Sequence, residues 1–237
     1  MVECAECGRE YTNIGNHWYH SPSHRPKLTE KQLEITTGLL MGDGCVENIE
    51  GNCRLTIHMI SRNYLKHLDN IFDCLGTGVS LYKSASESAK GARESGFRPN
   101  ANKENYSHLY EWRTRAHPKF NEFREWYSSG EKVWPEDIEL TPTVLKHWYV
   151  GDGNYNNKKN HNNIRISMSN EIENTNKVSE YFSNIGLPKP SNYSISKRNS
   201  VTKNCNAVWT VEDSQKLFDY MGEPLPDFEY KWPEEYR

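Results

Sequence analysis

The sequence predicts an α+β protein of two pseudo-symmetric units, each reading helix, strand pair, helix, strand pair, helix (αββαββα), behind a small N-terminal module. Three observations predict it. The stretch "GLLMGDG" (38–44) has a counterpart in "WYVGDG" (148–153), which places Asp43 and Asp152 at 109 residues' separation (152 − 43). The elements after each stretch follow in the same order. The first 24 residues gather cysteines and histidines as Cys4-x2-Cys7-x12-His20-x3-His24. The expected boundaries are 1–27 for the module, 28–135 for the first unit and 136–237 for the second.

Spacing and ligand type in the module point to zinc. Thiolates and imidazoles suit a tetrahedral Zn²⁺, and so short a segment cannot bury a core without a metal to supply folding energy. Cys4, Cys7, His20 and His24 are the expected ligands, and His17 is an alternative to His20. The stretch resembles the Cys2His2 zinc finger, with Val2 and Tyr11 at that family's core positions. His17 stands where a leucine is usual, and Pro22 would distort a helix carrying both histidines. A structural zinc is therefore expected more firmly than a ββα fold.

In the first unit, Thr29 and Gln32 form a capping-box pattern before apolar positions 33, 35, 39, 40 and 41, and Gly44 is placed to terminate the helix. Thr141, Pro142 and Gly153 do the same in the second unit. First strands are expected near Val46 and Tyr155. Residues 54–76 and 165–186 each read as a strand followed by an amphipathic helix ending on glycine. Strands at 79–83 and 109–115 precede a helix at 118–130, and their counterparts are 193–197, 207–211 and 214–222. A polar insertion at 84–108 reads as a functional or disordered loop. Trp112, Trp126, Trp148 and Trp209 are expected in the core.

A net charge of −3 does not mark a polyanion binder, but the charge is segregated. Residues 83–119 hold eight Lys/Arg against four Asp/Glu, and 154–203 hold eight against three, while the tail from 204 holds three against eight. A local basic surface can bind phosphates despite an acidic total. With no apolar run of membrane-crossing length and no signal-peptide pattern, an intracellular protein is expected, its six cysteines serving as thiols or metal ligands.

An aspartate at a helix C-terminus faces the negative end of the dipole and the unpaired carbonyls, at a cost of roughly 0.3–1 kcal/mol. Two such residues at matching repeat positions imply a missing positive charge, which a divalent cation such as Mg²⁺ would supply. Gly42 and Gly151, lacking Cβ, would let two helices approach until Asp43 and Asp152 meet.

These motifs resemble the paired signatures of single-chain LAGLIDADG homing endonucleases, and the repeat pattern matches that family over residues 28–232. His147 and Trp148 depart from the usual small or aliphatic residues, and glycine replaces alanine before each acid. The resemblance implies two units forming a saddle on double-stranded DNA, cut in both strands by a monomeric enzyme. It implies Asp43 and Asp152 as catalytic Mg²⁺ ligands, with the carbonyls of Gly42 and Gly151 as further ligands. Lys132 and Lys231 are candidates for the basic residues that the family places near its metals. Outward strand positions nominate Arg54, His58, Arg113, Arg115 and Arg165 for DNA contact, and a hairpin turn adds Lys197, Arg198 and Lys203. The alternative functions are a catalytically silent DNA-binding regulator and an RNA maturase on the same fold.

Overall fold

The alternating stretches at 52–59 and 163–167 become inner strands of two four-stranded antiparallel sheets. The structure, a computed structural model, describes residues 1–49, 51–96, 98–127, 132–157, 162–169, 171–198 and 201–237, leaving aside the side chains of 197, 198 and 201–203. The chain divides into two compact units, Met1–Gln32 with Cys45–Asn121, and Leu33–Gly44 with Glu122–Arg237.

The first unit opens with a hairpin of β1 (Val2–Glu3) and β2 (Glu10–Tyr11), then α1 (Ile14–His20) and a 3-10 turn at Pro22–His24. Helix α2 (Glu30–Met41) starts here, and the expected capping box is present: Thr29 N–H donates to Gln32 Oε1 at 2.9 Å and Gln32 N–H to Thr29 Oγ1 at 3.2 Å. From Leu33 this helix belongs to the second unit. Next come β3 (Cys45–Ile49), β4 (Asn52–Met59), α3 (Arg62–Phe72), β5 (Gly76–Lys83), α4 (Ala85–Glu94) and β6 (Leu109–Thr114). The sheet order is β3-β4-β6-β5. Helix α3 covers one face of it, Phe72 meeting Trp112 edge-on at 5.0 Å while the Trp112 indole N–H donates to Asp69 at 2.9 Å.

The second unit continues with α5 (Pro142–Asp152), β7 (Gly153–Asn156), β8 (Asn163–Ser167), α6 (Thr175–Asn184), β9 (Asn192–Arg198), β10 (Val201–Val208) and α7 (Val211–Met221). Its sheet order, β7-β8-β10-β9, repeats that of the first. The registers repeat as well. Cys45 pairs with Thr56, and Asn154 with Arg165, so both partners move by the offset that separates the two aspartates. The αββαββα order is complete in the second repeat, and the first follows it with α4 inserted between β5 and β6 and a 3-10 segment in the place of its last helix; the four tryptophans expected inside are buried.

Three expectations change. The helix expected at 118–130 is a 3-10 segment at Pro118–Tyr127, and its expected end lies outside the described residues. The insertion at 84–108 is not a plain loop. Ser84 and Glu87 form a capping box that starts α4, Ala89 is buried, and Arg93 donates to the Ala101 carbonyl at 2.5 Å. Arg115 falls beyond β6, where its Nε donates to the Cys74 carbonyl at 3.0 Å instead of sharing a strand face with Arg113.

Within the second unit, the second half of α2 lies backbone to backbone along α5, from Val144 to Gly151. A Cβ added at Gly38 would sit 2.4 Å from the Val144 carbonyl oxygen and 2.8 Å from His147 Cβ, closer than atoms allow. At Gly42 an added Cβ would meet the Gly151 Cα at 3.6 Å, ordinary contact. Gly38→Ala should therefore cost about 1–3 kcal/mol in urea denaturation, and Gly42→Ala should stay within about 0.5 kcal/mol of the parent. Equal costs would refute the view that the helix crossing is set at Gly38.

Candidate active site

Both signature helices end in a tight turn that holds its aspartate. The Gly44 N–H returns to the Leu39 carbonyl at 2.8 Å, and the Gly153 N–H returns to Tyr149. Neither glycine adopts the left-handed conformation expected of a helix terminator. Space is the constraint instead: an added Cβ would lie 2.8 Å from the Leu39 carbonyl oxygen at Gly44, and 2.0 Å from the Tyr149 ring at Gly153.

These turns face each other. A Cβ at Gly151 would be 3.2 Å from the Asp43 nitrogen and 3.5 Å from its Oδ2, and one at Gly42 would be 3.6 Å from Asp152 Oδ2. Each glycine thus abuts the other turn's aspartate, as the repeat predicts. Asp43 is exposed and Asp152 half-buried.

Lys132 and Lys231 come to this place in matching roles. Lys132 Nζ donates to the Gly42 carbonyl at 2.6 Å, and Lys231 Nζ donates to the Val150 carbonyl at 2.7 Å, with Gly151 O at 3.5 Å. They satisfy carbonyls that the helix ends leave unpaired and place positive charge at the negative poles. Part of the positive charge inferred as missing therefore comes from the protein itself. The Gly42 carbonyl, one of the expected metal ligands, already accepts one hydrogen bond and retains a second lone pair.

A third acid, Glu171, is a neighbour that the sequence analysis missed. It is buried and pairs with Lys132 at 3.2 Å. It sits in an irregular turn between β8 and α6, where a glutamate reads as ordinary helix-start chemistry and nothing in the sequence singles it out. Asp43, Asp152 and Glu171 thus face Lys132 and Lys231, three carboxylates against two ammoniums. Burial first, then the Asp43 and Glu171 carboxylates, push the Asp152 carboxyl up to about 7 against the pull of the two lysines. Burial draws the Lys231 ammonium down to about 8 while Asp43 and Asp152 oppose the shift.

The N-terminal cluster also forms, with one change of ligand. Cys4, Cys7, His17 and His24 bring their ligand atoms within 4.8 Å of one another. His17 Nε2 lies 3.8 Å from Cys7 Sγ and 3.2 Å from His24 Nδ1, and Cys4 Sγ lies 3.8 Å from His24 Nδ1. His20 is not among them. It is exposed and meets the Tyr19 ring edge-on at 5.1 Å. The reason is local. Tyr11 stacks on His17 at 4.0 Å and holds it on the hairpin side of α1, and the turn at Pro22–His24 folds His24 back to that side. The backbone N–H of Arg9 and then the Tyr11 hydroxyl bring the Cys7 thiol down to about 7, favouring the thiolate that zinc requires.

The residues nominated for DNA contact are distributed unevenly. Arg54 and His58 lie on the outer face of β4 and Arg113 on that of β6, each engaged by a glutamate. Arg54 binds Glu47 through Nε and Nη2 at 2.8 and 2.6 Å. His58 bonds Glu111 at 2.7 Å, and Arg113 pairs with the same glutamate. Arg165 is half-buried on β8. The side chains of Lys197, Arg198 and Lys203 lie outside the described residues.

Comparison with known proteins agrees with this architecture. Residues 33–197 match the model of the LAGLIDADG DNA endonuclease family. Over 143 residues, 59% of this chain, the sequence is 28% identical to the uncharacterized protein MJ1098 of Methanocaldococcus jannaschii. The match spans 50% of that relative, so this chain covers about half its length. The homing endonuclease I-WcaI, solved bound to its DNA recognition sequence, superposes with a TM-score of 0.68, covering 96% of this chain and 95% of that one at 16% identity, a likeness of fold. Two repeated helix-turn acids, two sheets in matching register and a family match over most of the chain lead to one conclusion: this protein belongs to the LAGLIDADG DNA endonuclease family.

Proposed function

We propose that the protein is a sequence-specific, Mg²⁺-dependent endonuclease that cuts both strands of duplex DNA, with Asp43 and Asp152 as the metal-binding acids. The observation that carries this reading is the face-to-face placement of the two Asp-Gly turns, each glycine against the opposite aspartate. The donor set fits the cation: hard carboxylate oxygens and helix-end carbonyls suit Mg²⁺, which would offset the burial and the neighbouring carboxylates that keep the Asp152 proton. When bound, Mg²⁺ supplies Lewis-acid polarisation of a scissile phosphate and a more acidic attacking water. The two lysines hold the helix-end carbonyls in place and offset the charge of an incoming phosphate. Glu171 restrains the Lys132 ammonium from one side. The family match and the DNA-bound state of I-WcaI support duplex DNA as the substrate.

Asp43→Asn or Asp152→Asn should abolish double-strand cutting while DNA binding, read by gel shift, is largely kept. Undiminished cutting by both variants would refute the assignment.

Proton and metal compete for Asp152. Its carboxyl rises from 3.8 to about 7 on folding, so without metal the folded state holds the proton that the unfolded chain has released. This group's contribution to stability therefore falls as pH rises through that window and is constant above it. The thermal stabilisation by excess Mg²⁺ should accordingly grow from about pH 5 to about pH 8, and less so in Asp152→Asn. A Mg²⁺ shift independent of pH would count against the site.

We also read the N-terminal cluster as a structural zinc site held by Cys4, Cys7, His17 and His24. His17→Ala should lose bound zinc on elemental analysis and His20→Ala should retain it. The reverse pattern would restore His20 as the ligand. Replacing Cys4 and Cys7 with serine should weaken DNA affinity without removing the cleavage chemistry.

A further inference from the structure

The two sheets repeat one backbone plan but present different chemistry on the faces not covered by helices. On the first, the central positions are acid–base groups. Glu47 and Arg54 face each other across β3 and β4, and Arg54 Nε and Nη2 both donate to the one oxygen Glu47 Oε2. Glu111 lies between His58 and Arg113, directly opposite His58 on the neighbouring strand. The Tyr82 ring stacks on His58 at 4.0 Å. These side chains are therefore held in fixed orientations, Glu111 at only 7% exposure.

On the second sheet the described side chains of the matching face carry almost no charge. Asn154 stands opposite Arg165, and Asn206 lies between Ser167 and Ser194 on its two neighbours. Beside them Asn204 donates to Ser196 at 3.2 Å. Among the described side chains of this face, Arg165 is the sole ion. The alternation that places Ile164, Ile166, Cys205 and Ala207 in the core assigns these amides and hydroxyls to the outer face.

Base edges discriminate between such surfaces. Guanine offers two acceptors that match an arginine fork, and its partner cytosine offers an amino donor that matches a carboxylate. Adenine offers one donor and one acceptor, the complement of an asparagine amide, and thymine offers an acceptor for a hydroxyl. A pre-formed arginine–glutamate pair thus suits a G·C edge, and an array of asparagine and serine suits A·T. Carboxylates on a DNA-facing surface also repel phosphate, which makes them costly unless they contact bases. We propose that the protein reads an asymmetric duplex target whose two halves differ in base composition, G·C-rich against the first sheet and A·T-rich against the second.

This rests on the DNA-binding part of the function proposed above, and the test separates the two. A duplex library randomised across a long window would be selected for binding, and the retained pool then incubated with Mg²⁺ and its cut ends sequenced. The expected result is one half-site enriched in G·C and the other in A·T. Glu111→Gln should raise affinity for the unselected library, through lost repulsion, and relax preference by about tenfold at positions in the G·C half only. Asn206→Ala should relax the A·T half only. Half-sites of equal composition, or variants that relax the wrong half, would overturn the proposal. Retained duplexes with the expected bias that Mg²⁺ leaves uncut would uphold it and refute the nuclease reading. A library from which nothing is retained would refute both.

Discussion

The close crossing of helices α2 and α5 is the constraint from which the site follows. A crossing made at the backbone of Gly38 leaves no freedom to slide, since any side chain there would meet the Val144 carbonyl. Both helices then run to their ends in register, and the glycines at 42 and 151 let the two aspartate turns come into contact. A looser crossing, with larger residues between the helices, would hold the same acids too far apart to share a charge environment. Apolar positions such as Leu39, Leu40, Leu145 and Trp148 are fully buried around this seam and keep it dry.

Charge placement at the seam shows a compromise. Helix ends gather carbonyls, and the chain adds carboxylates to them. Lys132 and Lys231 answer the carbonyls, arriving from irregular segments that follow the last strand or helix of each repeat. They do not fully answer the acids, because Glu171 takes part of Lys132. Burial first, and then the carboxylates of Asp43 and Glu171, make Asp152 reluctant to ionise. Under the proposed function, this surplus of carboxylates is what a cation of higher charge density than an ammonium would offset.

Much of this was legible before the structure. Asp43 and Asp152 stood out because a carboxylate at a helix C-terminus is locally unfavourable, and a cost repeated at one spacing calls for a reason. The strand patterns that open 54–76 and 165–186 were equally readable, since burial of one sheet face enforces alternation. What escaped was tertiary. Gly38 carried no signal in the sequence, and only its neighbour Val144 shows why it is needed. Glu171 has no periodic signature. The choice of His17 over His20 depended on a tyrosine stack and a proline-directed turn, neither of which ligand spacing encodes. The stretch from Ser84 to Glu87 that starts α4 carried a capping box, but its polar composition obscured it.

The segment Leu33–Gly44 lies in the first repeat by sequence yet in the compact unit of the second. A polypeptide holding just one repeat would expose the glycine ridge of its own signature helix, and a sibling chain would be the natural cover for it. Joining two copies in tandem removes that dependence on concentration. It also gives each sheet its own stretch of coding sequence, so that salt-bridged side chains could accumulate on one and amides on the other without either change being imposed on its twin.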